Sequence, residues 1–159
     1  MTTPGAERPR DRLGRPLPWD ATGYPTVPIR ADISAEDAIA EARAYLDEGL
    51  PFHAHEVLEM RWRCCPPDER DLWQALAQAA AAVTHEARGN PVGAQRLHER
   101  ASATLSTYAG PLPVGIGDLL AELGLTSPGG SRRQGPVSTG TVAVRPASAT
   151  SVACSAVMA

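Results

Sequence analysis

The sequence predicts an all-α fold: a compact bundle of four main helices plus a short C-terminal helix, with an extended proline-rich N-terminal arm and a disordered C-terminal tail. Three observations support this prediction. Apolar residues recur at helical spacing through the middle of the chain. Residues that favour helix starts and stops bound each of these segments. Strands that alternate with helices, the pattern of a parallel sheet, do not occur.

The first two helices are predicted from their boundary residues. Ser34 and Asp37 have the spacing of a capping box, and Gly49 can end a helix, so the first helix is placed at 35–48. Pro51 suits the first turn of a second helix, because its missing amide hydrogen is not needed there. The adjacent prolines at 66–67 should end this second helix.

Three further helices follow along the chain. The third is predicted over 68–88 and contains so much alanine that neighbouring helices can approach it closely on several sides, so we place it centrally. Asn90 before Pro91 has the form of a helix N-cap followed by proline in the first turn. The fourth helix should therefore start there and end before Gly110. A short fifth helix is predicted over 118–123.

These elements predict a single helical domain at 32–126, an arm at 1–31 and a low-complexity tail at 127–159. Within the arm, Trp19, Tyr24 and Ile29 are candidates to pack over the bundle. The alternative is that the arm is a loose leader.

Composition restricts the partners and the compartment. The net charge is −3, the basic residues are dispersed, and aromatic residues make up only 4% of the chain, so a nucleic acid partner is not expected. Three cysteines, Cys64, Cys65 and Cys154, form no disulfide framework, which favours a reducing cytoplasm. No apolar run is long enough to cross a membrane. We therefore expect a soluble cytoplasmic protein.

The second helix carries an unusual mixture of ionisable and aromatic residues. At 100° per residue, His55, Glu59 and Trp62 share one stripe, Glu56 lies at its flank, and His53 points nearly the opposite way. We therefore predict that Trp62 is in the core and that His53 is on the surface. A His and a Glu four residues apart are neighbours on a helix and can hold one metal ion.

This histidine and glutamate pair has two interpretations. His55-Glu56 starts like the His-Glu-x-x-His sequence of zinc peptidases, but Glu59 takes the place of the second histidine. Gln78 and His85 of the third helix would converge on the pair if the two helices face each other. The alternative is an ordinary hydrogen-bonded pair beside a solvated helix face.

Three separated blocks resemble domain-of-unknown-function family 309, and the resemblance covers about residues 35–125. The blocks are Phe52-x-x-His55-Glu56-x-Leu58-Glu59-x-x-Trp62, Leu72-Trp-Gln74-Ala-Leu-x-Gln78 and His85-x-x-Arg88-Gly89-Asn90-x-x-Gly93-Ala94-x-x-Leu97. The resemblance implies a small all-α protein, and members of this family are sometimes labelled predicted metal-dependent hydrolases. The polar positions it implies are His55, Glu56, Glu59, Gln74, Gln78, His85 and Arg88.

Two functional hypotheses result. In the first, His55, Glu59 and His85 hold one divalent metal, zinc, manganese or iron, and Glu56 helps to deprotonate a bound water. Gln74, Gln78, Arg88 and Trp62 would then surround this site or bind substrate. In the second hypothesis, the same residues form a buried hydrogen-bond network in a non-catalytic scaffold. Its function would be association with an unknown protein or small-molecule partner.

Overall fold

The computed structural model describes residues 7–129, and these residues form helices without any β-strand, so the predicted all-α fold is confirmed. The α-helices of this described range are, in chain order, α1 (Ala35–Asp47), α2 (Pro51–Cys64), α3 (Arg70–Ala87), α4 (Pro91–Ser106) and α5 (Ile116–Glu122). Within this range no helix is both long enough and apolar enough to cross a membrane. The tail after residue 129, which includes Cys154, and the first six residues lie outside the described range.

The helix boundaries follow the capping residues. The Ser34 hydroxyl accepts a hydrogen bond from the Asp37 amide at 3.0 Å and so caps α1, which is the N-cap half of the predicted capping box. The Asn90 side chain accepts from the Gly93 amide at 3.0 Å and so caps α4. The start of the third helix differs from the prediction, because a 3₁₀ turn at Pro67–Glu69 precedes the α-helix proper.

Helix α3 lies at the centre of the bundle, as predicted. It packs against α2 on one side and α4 on the other, while α1 packs against α2 and α5. The alanines of α3 that are buried are Ala75, Ala77, Ala79, Ala80 and Ala82. Because alanine side chains are short, neighbouring helices can come close to the α3 backbone on more than one side.

The arm, residues 7–31 in the described range, packs along the bundle through residues that the sequence did not single out. Val27 is buried in the core with only 6% of its surface exposed. Trp19, Tyr24 and Ile29 were the candidates to cover the bundle, but their exposed fractions are 58%, 43% and 90%. The arm is therefore docked, and Trp19 and Ile29 largely face solvent while Tyr24 is partly covered.

The predicted orientation of the second helix was wrong for His53, whereas Trp62 is partly buried and packs against the core. His53, expected on the surface, is only 4% exposed, and Trp62, expected in the core, is half-buried. His53 is buried because the arm covers that face of α2: its Nε2 donates to the Pro25 carbonyl at 2.8 Å, and its ring lies 5.3 Å from the Tyr24 ring. Helical periodicity gives relative directions, but it does not reveal that a distant segment covers the polar side.

Candidate functional site

His55 points from α2 toward α3. Its Nδ1 lies 2.9 Å from the Ala77 carbonyl oxygen, and since a carbonyl only accepts, Nδ1 carries a hydrogen. The other ring nitrogen, Nε2, lies 3.4 Å from a carboxylate oxygen of Glu59. The structure therefore brings together the His55 and Glu59 side chains that the sequence placed on one stripe.

Glu59 is shared between two partners. Its second carboxylate oxygen accepts a hydrogen bond from Arg63 at 2.5 Å, on the next turn of α2. The side chains of His55 and Glu59 are 26% and 32% exposed, so water still reaches the pair. His55, Glu59 and Arg63 thus form a partly exposed row of contacts along α2.

Glu56, the predicted base, lines a cavity of about 310 Å³ between α2 and the arm. Glu59 lines the same cavity, whose opposite wall includes Val27 and Arg30 of the arm. Burial raises the pKa of the Glu56 carboxyl, and the negative charge of Glu7 adds to this effect. The cavity thus combines two carboxylates with apolar surface.

His85, the third expected metal ligand, has a different partner. The Asn90 side-chain nitrogen donates to His85 Nδ1 at 2.9 Å, while the Asn90 oxygen caps α4. Gly93 completes this junction, because a Cβ there would lie only 2.7 Å from His85 Nδ1. The sequence block from His85 to Gly93 therefore builds the turn that joins α3 to α4.

The expected metal set is not assembled. Across residues 7–129 there is no group of three or more His, Cys, Asp or Glu side chains placed to hold a metal ion. His55 and Glu59 supply two neighbouring donors, whereas His85 binds Asn90. A divalent zinc ion normally takes at least three protein ligands, so the described donors do not fit such an ion.

The residues predicted to surround the site lie in several environments. Arg88 donates through Nε to the Leu13 carbonyl at 2.9 Å and lies over the Phe52 ring at 5.7 Å from its centroid. Gln78 has a buried side-chain oxygen, and Trp62 a buried indole nitrogen, with no hydrogen-bond partner among the described residues. Gln74 is half-buried on α3.

A buried charged network was missed by the sequence prediction. Arg61, only 9% exposed, contacts a carboxylate oxygen of Glu69 at 2.8 Å, and the Trp73 indole donates to the same oxygen at 2.8 Å. Burial alone would raise the pKa of the Glu69 carboxyl, but the hydrogen bonds from Trp73 and Arg61 outweigh it and lower that pKa. The four-residue spacing of Glu69 and Trp73 was an available signal for this network.

Comparison with known proteins identifies the segment that carries these residues. Residues 39–97 match the family model of DUF309, described as a domain of unknown function. This stretch is similar to that family, and we call residues 39–97 the DUF309 segment. The resemblance predicted from the sequence blocks is therefore confirmed, and the DUF309 segment holds all the predicted site residues but not the arm.

One relative is itself uncharacterised. The "Uncharacterized protein YpuF" of Bacillus subtilis (strain 168) is 40% identical over 63 residues, which cover 35% of this chain and 36% of YpuF. The chain thus spans little more than a third of the length of that curated relative. No solved structure matches the chain significantly.

Proposed function

We propose that this protein is a non-catalytic helical scaffold that acts by associating with a partner, and that the His55 cluster is a structural hydrogen-bond network. The observation that carries the proposal is the bond from His55 Nδ1 to the Ala77 carbonyl, which ties α2 to α3. Two other polar contacts have the same character: His85 and Asn90 join α3 to α4, and Arg88 joins α3 to the arm.

Each of these contacts connects two different elements of the fold. A hydrogen bond of this kind contributes about 1 kcal/mol, and leaving the buried partner without it costs about 1–3 kcal/mol. Arg88 donates to a main-chain carbonyl, and His85 accepts from the residue that caps α4. His85 Nδ1 and two of the Arg88 nitrogens are thus engaged by the protein, which supports a structural role for both residues.

The alternative is the metal-dependent hydrolase, and one observation favours it. Metal-ligating histidines often donate their other ring nitrogen to a backbone carbonyl, and His55 Nδ1 makes that contact with Ala77. Its Nε2 then faces Glu59, beside the cavity lined by Glu56. In this hypothesis His55 and Glu59 would hold a zinc, manganese or iron ion together with ligands from outside the described residues.

Metal analysis separates the two functions. Full-length protein purified without chelator should contain well under one equivalent of zinc, manganese or iron, and Glu59→Gln should leave that content unchanged. His55→Ala should lower the free energy of unfolding by about 1–2 kcal/mol, because the Ala77 contact is lost. Elemental analysis by mass spectrometry and urea denaturation are the measurements. A stoichiometric metal that Glu59→Gln removes would overturn the scaffold proposal.

Glu56 and Glu59 should respond oppositely to neutralisation. Because burial raises the pKa of Glu56 in the folded protein, the buried carboxylate opposes folding above that pKa. Glu56→Gln should raise the free energy of unfolding at pH 7 by on the order of 0.5 kcal/mol, and the gain should vanish below about pH 4, where both states are protonated.

Glu59→Gln is the matched control on the same helix. Its carboxylate contacts His55 and Arg63, so its neutralisation should weaken the protein by about 0.5 kcal/mol at pH 7. Urea denaturation at pH 7 and pH 4 measures both variants. A loss of stability in Glu56→Gln at pH 7 would show that the Glu56 carboxylate is held by a favourable contact.

A further inference from the structure

We propose that the face of α1, α2 and the C-terminal end of α3 beneath the arm is a binding site for a proline-containing peptide of a partner protein that follows the path of the arm, including its turn at residues 11–14. The arm would occupy this site as an intramolecular competitor. We name it the arm site and define it by Tyr45, Phe52, His53 and Arg88. The inference rests on the scaffold function proposed above and specifies both the surface and the chemistry of the partner.

The arm site recognises main chain rather than particular side chains. His53 Nε2 donates to the Pro25 carbonyl at 2.8 Å, and Arg88 Nε donates to the Leu13 carbonyl at 2.9 Å. Every residue type has a carbonyl, so these two bonds would be available to any segment that follows the same path. Binding at the arm site should therefore depend more on the backbone conformation of the bound segment than on its side chains.

Proline suits such a site for two reasons. Its ring keeps the backbone extended, and its missing amide hydrogen leaves no donor that the bundle must satisfy. The arm contains prolines at 9, 16, 18, 25 and 28. Beside Pro25, the site presents the rings of His53 and Tyr45, whose centroids lie 5.3 Å apart, and the arm's own Tyr24 packs on His53 at the same distance. Aromatic surfaces of this kind are how proline-rich peptides are generally bound.

Phe52 adds a specificity element to the arm site. Gly14 has a φ of +75°, and a Cβ at this position would lie 2.4 Å from atoms of the Phe52 ring. Only glycine both adopts that conformation readily and allows the backbone to come so close. A peptide that follows the arm's path should therefore need glycine over Phe52.

The arm is an imperfect occupant of the site. His53 is 96% buried, yet its Nδ1 has no hydrogen-bond partner among the described residues. An unsatisfied buried nitrogen costs about 1–3 kcal/mol, which a peptide with a donor at that point would recover. In addition, Phe52, His53 and Arg88 lie within the DUF309 segment at 39–97, whereas the arm lies before it. Tyr45 lies there as well, so the matched segment contains the whole arm site without its present occupant.

A peptide competition experiment tests the proposal. A fluorescent peptide with the sequence of residues 9–29 is titrated into the full-length protein and into Gly14→Val, which should undock the arm through its clash with Phe52. Fluorescence anisotropy should give a Kd for Gly14→Val about tenfold or more below that of the wild type, because the competing arm is weakened. A peptide carrying Gly14→Val should not bind either protein.

Gly129→Val is the matched control for the protein. Gly129 also has a positive φ, +83°, but no atom lies within 4 Å of its would-be Cβ, so this variant should bind the peptide like the wild type. If Gly14→Val does not fold, Arg12→Ala replaces it, since this change removes only the arm's bond to the Gly49 carbonyl. A folded arm variant with no gain in peptide affinity would overturn the proposal.

Metal analysis of the same preparations keeps the two proposals separate. Absence of peptide binding with low metal content would overturn the arm site and leave the scaffold function in place. A stoichiometric metal removed by Glu59→Gln would overturn the scaffold function itself, whatever the peptide does.

Discussion

Trp73→Ala should lower the free energy of unfolding by about 3–5 kcal/mol, the largest loss we expect from a single tryptophan of this protein. Trp73 is completely buried, and its indole nitrogen donates to Glu69 at 2.8 Å. The Arg61 guanidinium lies 5.4 Å from the centre of its ring. Alanine would leave a cavity in the core and remove both polar contacts. Urea denaturation followed by far-ultraviolet circular dichroism measures the loss.

Trp62→Ala is the control for this substitution. Trp62 is half-buried, and its outer face is covered by Arg70, whose guanidinium lies 5.1 Å from the ring centre. We expect a loss of about 1–2 kcal/mol, because part of the removed surface already faces water. If Trp62→Ala cost as much as Trp73→Ala, the peripheral position that we give to Trp62 would be contradicted.

Arg61→Ala should also cost about 3–5 kcal/mol, because removing one partner of a buried ion pair leaves the other without compensation. Arg61 bonds Glu69 and also donates to the Ile33 carbonyl at 3.1 Å. Arg63→Ala is the control two residues away: its side chain is 71% exposed, and its bond to Glu59 should be worth no more than about 0.5 kcal/mol. A loss for Arg61→Ala no larger than that for Arg63→Ala would show that the Arg61–Glu69 pair contributes no more to stability than an exposed ion pair.

The same ion pair should be visible in the pH dependence of stability. The hydrogen bonds from Trp73 and Arg61 lower the pKa of Glu69 in the folded protein. The ionised Glu69 carboxylate therefore stabilises the folded protein fully above the pKa of glutamate in the unfolded chain, near 4.3. This stabilisation is lost as the pH falls through the lower pKa of Glu69 in the folded protein. Arg61→Ala should flatten this acid-side decline. Denaturation curves at pH 7, pH 4 and pH 3 compare the two proteins.

Much of the fold was predictable because its boundaries depend on local chemistry. Ser34 and Asn90 cap their helices with bonds to residues only three positions away, so sequence spacing alone was sufficient. The DUF309 resemblance was predictable for a similar reason, since its three sequence blocks occur in the expected order along the chain. The position of α3 between two neighbours was anticipated by its alanine content.

The site was less predictable because it depends on contacts between distant residues. His53 is buried by Pro25, which lies 28 residues earlier, and no helical period contains that information. His85 was expected to contact the metal site, but its Nδ1 accepts a hydrogen bond from Asn90, the residue that caps α4. The four-residue spacing correctly placed Glu59 beside His55. The third expected ligand, His85, lies on another helix, and the direction of its side chain does not follow from spacing.

The order in which helices contact one another also bears on how quickly the chain folds. Substantial packing occurs between consecutive helices, α1 with α2, α2 with α3 and α3 with α4, and the contact of α1 with α5 is the one that closes the described bundle. Local pairing of this kind gives a low contact order, typical of domains that fold within about microseconds to milliseconds. The arm can dock only after the helices that it contacts have packed, since Leu13 and Arg88 are 75 residues apart. We therefore expect a fast helical phase followed by a slower one in which the arm docks.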